Sequence, residues 1–356
     1  MNAPDRSALR LTEFSHGGGC GCKIAPSVLQ EILGRAAPGL VPRELLVGIE
    51  TADDAAVYQI AERQAIVATT DFFTPIVDDP FDFGAIAATN ALSDVYAMGG
   101  APLFALALVG VPVGRLPVEA IRSILDGGEA ICAKAGIPIA GGHTIDTLEP
   151  IYGLVAIGLV DPKGVKRNAG AQPGDVLILG KPLGIGVYGA ALKKGRLPAD
   201  RYATMVAQAT QLNTPGLTFG RNESVHALTD VTGFGLLGHL LEVCRGSRAG
   251  ARIRYDRVPL LAGASELARE KLVTGASARN WASYGSEVTL GPGIGDAERA
   301  LLTDPQTSGG LLVACAAEGV DSVLATFADE GFGRAAVIGE IVAGPPRVEV
   351  VGDALT

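Results

Sequence analysis

The chain has 356 residues, enough for about two domains. Hydrophobic residues make up 48% and charged residues 19%, which excludes a disordered or low-complexity chain despite 48 glycines and 21 prolines. A net charge of −9 argues against a nucleic acid or an anionic membrane as partner.

The N-terminus, Met1 to Phe14, mixes charges and lacks the apolar core of a secretion signal. Residues His16–Lys23 (HGGGCGCK) form a glycine-rich segment with high backbone entropy, expected to stay mobile until something binds. Three short β-rich runs follow at Glu44–Glu50, Ala55–Ile60 and Gln64–Phe73. An apolar-periodic helix is expected from about Phe83 to Met98, then a strand over Leu103–Val113. A helix near Pro117–Ala135 and strands at Ile137–Ala140 and Tyr152–Val160 complete the first half. The stretch Ala101–Gly114 is the longest nearly uncharged apolar run. It carries two prolines and falls short of the ~18–20 residues a spanning helix needs.

Asp161–Gly174 reads as a polar, turn-rich connector. Beyond it come strand Asp175–Gly180, helices near Val187–Lys194 and Ala203–Leu212, and a short strand ending at Asp230. Helices at Leu236–Cys244, Ala264–Leu272, Asp296–Leu302 and Val320–Glu330 are interleaved with strands at Ala251–Tyr255, Gly310–Cys315, Ala335–Val342 and Arg347–Val351. The order is not a strict alternation of strand and helix, so it predicts two α+β domains rather than one doubly wound sheet.

Two glycine patterns invite a dinucleotide reading: Gly184-x-Gly186-x-x-Gly189 and Gly233-x-Gly235-x-x-Gly238. In the first, Pro182 sits in the turn and no acidic residue follows ~20 positions on to hold a ribose. In the second, the preceding strand ends in Asp230, which repels a pyrophosphate unless a metal intervenes. Tight strand-to-helix turns explain both. A nicotinamide oxidoreductase is the weaker alternative, and Gly180-Lys181-Pro182 is no P-loop.

Aspartates interrupt apolar sequence at four places: Asp53-Asp54, Asp71, Asp94 and Asp230. Any one of them could be a helix cap or turn residue. Asp94, however, falls in mid-helix, four residues after Asn90 and on the same face. Desolvating a carboxylate costs several kcal/mol without a partner. With only 29 Lys and Arg in the chain, the group points to cations other than arginine. Magnesium fits, because it takes hard oxygen ligands and is commonly shared between carboxylates and substrate phosphates. Asp304, in Asp-Pro-Gln-Thr-Ser-Gly-Gly, suits a turn.

Cys20, Cys22 and Lys23 allow three readings. A zinc site with His16 lacks a fourth ligand at a usual spacing. A disulfide across one residue is strained. In the favoured reading the segment is reactive: the Lys23 ammonium favours thiolate, and the glycines permit close approach to a substrate. The other cysteines (Cys132, Cys244, Cys315) lie in apolar runs, as buried thiols of a reducing, cytoplasmic compartment would.

With Ser15–Lys23 (SHGGGCGCK), Asp53–Tyr58 (DDAAVY), Thr69–Phe73 (TTDFF), Ala88–Gly100 (ATNALSDVYAMGG), Ala140–Asp146 (AGGHTID), Thr229–His239 (TDVTGFGLLGH) and Asp304–Gly310 (DPQTSGG) on the page, the chain resembles the selenophosphate synthetases, or selenide, water dikinases, over nearly its whole length. The Asp-Asp-Ala-Ala-Val element is shared with aminoimidazole ribonucleotide synthetase and thiamine-monophosphate kinase, so a kinase of that wider group is the other alternative. The Cys-Gly-Cys-Lys segment singles out the selenium enzymes.

The resemblance implies a two-domain, aminoimidazole ribonucleotide synthetase-like α+β fold with a mobile Gly-rich N-terminal segment. Its divisions are expected at residues 1–43, 44–160, 161–174 (linker) and 175–356. It implies a cytoplasmic homodimer that converts ATP, selenide and water to selenophosphate, AMP and phosphate. Asp54, Asp94 and Asp230 are then magnesium ligands. Lys23, Thr51, Ala52, Asp53, Asp71, Asp94, Gly142, His143 and Thr144 contact ATP directly or through metal. Cys20 is the catalytic residue, a position some members fill with selenocysteine, and Lys23 its essential neighbour. Ala52 stands where many members carry arginine, which weakens the Thr51–Asp53 contact.

Overall fold

The computed structural model describes residues 9–15, 17–24, 28, 31–32, 41–48 and 53–352. Its first half builds a six-stranded sheet from β1 (Leu45–Val47), β2 (Ala56–Ala61), β3 (Gln64–Phe73), β4 (Ala101–Val111), β5 (Ile139–Asp146) and β6 (Ile151–Val160). The strand order is β1-β2-β3-β6-β4-β5, with only the β4–β5 pair parallel. Two helices accompany it, α1 (Pro80–Ala97) and α2 (Val118–Lys134). Helix α1 starts where Asp79 accepts a hydrogen bond from the Asp82 backbone N–H (3.0 Å) and Pro80 supplies a preset φ. It is buried on nearly all sides, which explains its weak amphipathic pattern.

Strand alternation buries Val57, Val67, Leu154 and Ala105 against α1 and turns Tyr58, Ile66, Phe72, Val155, Leu106, Leu108 and Ile145 to the other face. On that face Tyr58, Phe72 and Ile145 are 42%, 49% and 49% exposed.

The second half forms a seven-stranded mixed sheet from β7 (Val176–Leu179), β8 (Val225–Asp230), β9 (Gly250–Arg254), β10 (Val288–Leu290), β11 (Leu311–Cys315), β12 (Ala336–Val342) and β13 (Val348–Val351), in the order β10-β13-β9-β12-β7-β11-β8. Its helices are α3 (Ile185–Lys193), α4 (Ala199–Ala209), α5 (Pro215–Phe219), α6 (Gly235–Ser247), α7 (Ala264–Arg269), α8 (Gly275–Tyr284), α9 (Asp296–Leu302) and α10 (Val320–Asp329). One hydrophobic core joins Val57, Phe83 and Leu92 of the first half to Ile185, Tyr188 and Met205 of the second.

Four elements differ from the sequence expectation; two of them, the short α5 and β10, are not among the expected elements. The strand expected to stop at Ala140 continues to Asp146, because glycine-rich Gly141-Gly142 is tolerated on an edge strand paired only with β4. Helix α8 was not expected: it buries Ala276, Ser277, Asn280 and Tyr284, a mostly polar set that leaves no apolar stripe to read. Among the described residues, no helix is long and apolar enough to cross a membrane.

Candidate active site

Both glycine patterns serve the fold. At the start of α3, Gln306 Oε1 accepts from the backbone N–H groups of Gly184 (3.0 Å) and Ile185 (3.2 Å), and Asp304 Oδ2 accepts from Val187 (3.1 Å). The orphan donors that could bind a phosphate are therefore already satisfied from within. A Cβ at Gly186 would stand 2.4 Å from Asp304 Oδ1, so glycine here makes room for the 304–306 loop. Asp304 is thus more than the turn residue its sequence suggested. It is fully buried, and burial pushes its carboxyl up to about 7. In the second pattern, a Cβ at Gly233 would lie 3.0 Å from the Cys20 carbonyl and from Lys23 Cδ. That glycine lets the N-terminal segment lie against the second half.

The segment's described residues are docked. Gly19–Cys22 forms a 3-10 turn, and Cys20 is 1% exposed. The Cys20 backbone N–H donates to Thr307 Oγ1 (3.1 Å) and its thiol donates to Asn90 Oδ1 (3.2 Å). Asn90, on α1, also accepts from the Ser308 backbone N–H (2.7 Å) and donates through Nδ2 to Asp71 Oδ2 (2.7 Å). The Lys23 ammonium meets the same Asp71 oxygen at 2.9 Å. One buried amide thereby ties together the thiol, the carboxylate that holds the ammonium, and the 305–308 loop. Nothing in the sequence marked Asn90 beyond its helical spacing from Asp94.

The expected thiolate is not what this arrangement gives. Burial pushes the Cys20 thiol above its ordinary range; Lys23 pulls it down, while Asp71 and Asp230 push it up. The ammonium is engaged by Asp71 rather than left to a sulfur. Desolvation works against the Lys23 charge, but Asp71, Cys20 and Asp94 outweigh it and hold its pKa well above the usual value. Cys22 points elsewhere, its Sγ 2.7 Å from Thr74 Oγ1. All five cysteines are free thiols. His16, Thr51 and Ala52 lie outside the described residues.

The three expected metal ligands come from three distant parts of the chain, and each accepts a hydrogen bond from a hydroxyl. Asp94 on α1 is 9% exposed and accepts from Thr69 Oγ1 (2.6 Å). Asp230, at the end of β8, is 1% exposed and accepts from Ser93 Oγ, which itself accepts from Asn213 Nδ2 (2.7 Å). Asp54 accepts from Thr229 Oγ1 (2.9 Å) through one oxygen, while its buried Oδ2 has no partner. Desolvation raises the pKa of all three. Asp230 pushes Asp54 and Asp94 further upward. An orphaned oxygen and acid groups held unfavourably close fit a divalent cation. Among the described residues, no group of three or more His, Cys, Asp or Glu side chains is gathered so as to hold a metal ion by itself. Magnesium bound by these acids would take its remaining ligands from water and phosphate oxygens.

Asp53 turns the other way, accepting from the Asn168 backbone N–H (2.6 Å) in the connector. Gly142, His143 and Thr144 are exposed on edge strand β5, three strands from β3 and its Asp71. Within one chain they do not join the carboxylates.

The sequence profiles "AIR synthase related protein, N-terminal domain" and "C-terminal domain" match residues 52–160 and 172–351. Across 346 residues the chain is 65% identical to the selenide, water dikinase of Burkholderia pseudomallei (strain K96243), covering 97% of this chain and 98% of that one. The chain belongs to the selenide, water dikinase family. Its fold is that of the wider group: a thiamine-monophosphate kinase from Stenotrophomonas maltophilia K279a superposes with a TM-score of 0.63 at 24% identity, over 92% of this chain and 96% of that one. The hydrogenase maturation protein HypE, in a structure with ATP, gives 0.64 at 17% identity over 97% and 95%. The α+β architecture in two halves is the frame shared with that wider group, and in this chain the Cys20–Lys23 turn is docked onto it.

Proposed function

We propose that the chain makes selenophosphate from ATP, selenide and water, releasing AMP and orthophosphate. The observation that carries this is the docking of Cys20 and Lys23 onto Asn90 and Asp71 at the edge of a buried carboxylate cluster, in a chain 65% identical to a curated selenide, water dikinase.

Asp54, Asp94 and Asp230 would hold magnesium, which neutralises triphosphate charge so that an anion can approach phosphorus. The rest is positioning. Phosphoryl transfer depends mainly on alignment and charge stabilisation. Lys23, steered by Asp71, presents a positive charge for the γ-phosphoryl oxygens. Asn90 fixes both Asp71 and the Cys20 thiol, so ammonium and sulfur share one frame. The Gly19–Cys22 turn covers the site and excludes stray water. Opening of the Gly19–Cys22 turn would admit ATP; the proposed divisions of the chain are 1–43, 44–160, 161–174 and 175–356. After transfer to hydroselenide, water cleaves the remaining ADP to AMP and orthophosphate. Phosphorus NMR is expected to show AMP only when selenide is supplied. ADP as the final product would instead place the chain among the kinases of the wider group.

We also take the working form to be a homodimer. The apolar outer face of the first sheet, with Tyr58, Phe72 and Ile145 open to solvent, supports a second copy as its cover. A second copy also supplies a Gly142–Thr144 edge that one chain keeps away from its own carboxylates. Val155→Asp, at the middle of that face, is expected to sediment at the mass of one chain while the parent sediments at twice that mass. A parent of single-chain mass would sink the idea. Five free thiols are in keeping with the cytosol.

A further inference from the structure

Behind the docked Cys20–Lys23 turn, on the side away from the aspartates, lies a second cavity of about 520 Å³. Its lining includes Ile76, Thr274, Cys22 and three cations, Lys193, Lys194 and Arg279, and no carboxylate. In a chain of net charge −9 that concentration is unusual. Lys193 Nζ donates to the Ser15 carbonyl (2.9 Å) and Arg279 Nη2 to the Gly21 carbonyl (2.9 Å). Both bonds hold the glycine-rich segment down without neutralising either charge. Among the described residues, none of the three cations is paired with a carboxylate. Cys22 lines the cavity, while Cys20 faces Asn90. The partition between them is a single 3-10 turn, and Gly21 within it carries no side chain to thicken it.

This geometry bears on a problem of charge. The nucleophile of the proposed reaction is an anion, and the face of the site that carries Asp54, Asp71, Asp94 and Asp230 repels it. Cations around a low-dielectric recess concentrate an anion and raise its rate of capture. We propose that the cavity lined by Lys193, Lys194, Arg279 and Cys22 receives hydroselenide and delivers it across the Gly19–Cys22 turn to the side of Cys20. The assignment rests on the dikinase reading. It adds an entry route separate from that of ATP: a small chalcogenide anion arrives over the basic wall, and the nucleotide over the acidic one.

Lys194 offers the cleanest test, because no hydrogen bond or ion pair described here depends on it and its replacement leaves the segment's two tethers intact. In anaerobic assays of selenide-dependent AMP release, Lys194→Gln is expected to raise the KM for selenide several-fold and Lys194→Glu roughly tenfold or more, within the range electrostatic steering spans. Lys194→Arg should restore the parent value, and the KM for ATP should stay unchanged throughout. Sodium hydrosulfide serves as a direct probe: it should slow iodoacetamide labelling of Cys22, read by mass spectrometry, in the parent and much less in Lys194→Glu. An unchanged selenide KM across the series overturns the proposal. So does a series in which only inhibition by orthophosphate weakens, since the cavity would then serve product exit. A parent that releases no AMP with selenide defeats the dikinase reading instead, and hydrosulfide protection of Cys22 still decides whether the cavity takes such an anion.

Discussion

Replacing Asp94 with asparagine is expected to raise the melting temperature of the nucleotide-free protein while removing its magnesium-dependent ATP binding. In the fold the Asp94 carboxyl is desolvated and faces Asp230 and Asp71, so its pKa lies well above the ordinary value. At neutral pH the unfolded chain carries the ionised form at no such cost. The carboxyl's stabilising share is therefore fully present below about pH 4, the unfolded value, and is lost as pH rises through the folded one. Asparagine keeps an oxygen for Thr69 and carries no charge. A gain of about 1 kcal/mol at pH 7.5 corresponds to roughly 2–4 °C in a domain of this size. The pH dependence of stability should flatten in the variant. Binding of the magnesium–ATP pair should weaken by roughly 10–100-fold or more, given what even outer supports of a metal site contribute. Scanning calorimetry across pH, with titration of ATP in the presence and absence of magnesium, measures both. A variant that is less stable and still binds would show that Asp94 is a structural acid.

Cys20→Ser is expected to lower selenide-dependent AMP formation by roughly 10²–10⁴-fold, the range over which a positioned catalytic group acts, with ATP affinity within about twofold of the parent. Serine can keep the hydrogen bond to Asn90 and the backbone bond to Thr307, so the docked turn should persist. What changes is the softness and acidity of the atom facing the site. Because burial holds the Cys20 thiol protonated in the docked state, its alkylation by iodoacetamide should also be slow in the resting protein and faster when the segment is undocked. Full turnover in the serine variant would remove Cys20 from the chemistry.

How far the sequence led can be judged from particular residues. Asp94 was legible because an acid in mid-helix among apolar neighbours conflicts with its surroundings, and Asp71 because it interrupts a β-rich run. Element order gave two α+β domains, and the aminoimidazole ribonucleotide synthetase-like frame followed from the family resemblance that the motifs carry along the chain. What could not be read were bonds between elements far apart in the chain. Thr229 holds Asp54 across 175 positions, and Ser93 holds Asp230 across 137. Asn90 meets Ser308 across 218. No local pattern encodes such pairs. The thiolate expectation failed for the same reason: adjacency placed Lys23 beside two sulfurs, whereas the fold gave its ammonium to Asp71. Helix α8 stayed hidden because its inward face is polar.

Two of those long-range bonds share a further property. Thr229 reaches from the second sheet to Asp54, just before β2 of the first, and Ser93 from α1 to Asp230 of the second sheet. The seam between the halves is thus stitched, oxygen to oxygen, through the same acids proposed as magnesium ligands. On the proposed function, a cation held by Asp54, Asp94 and Asp230 would draw on both halves at once and clamp the seam. Occupancy of the proposed site and the rigidity of that seam would then be a single variable.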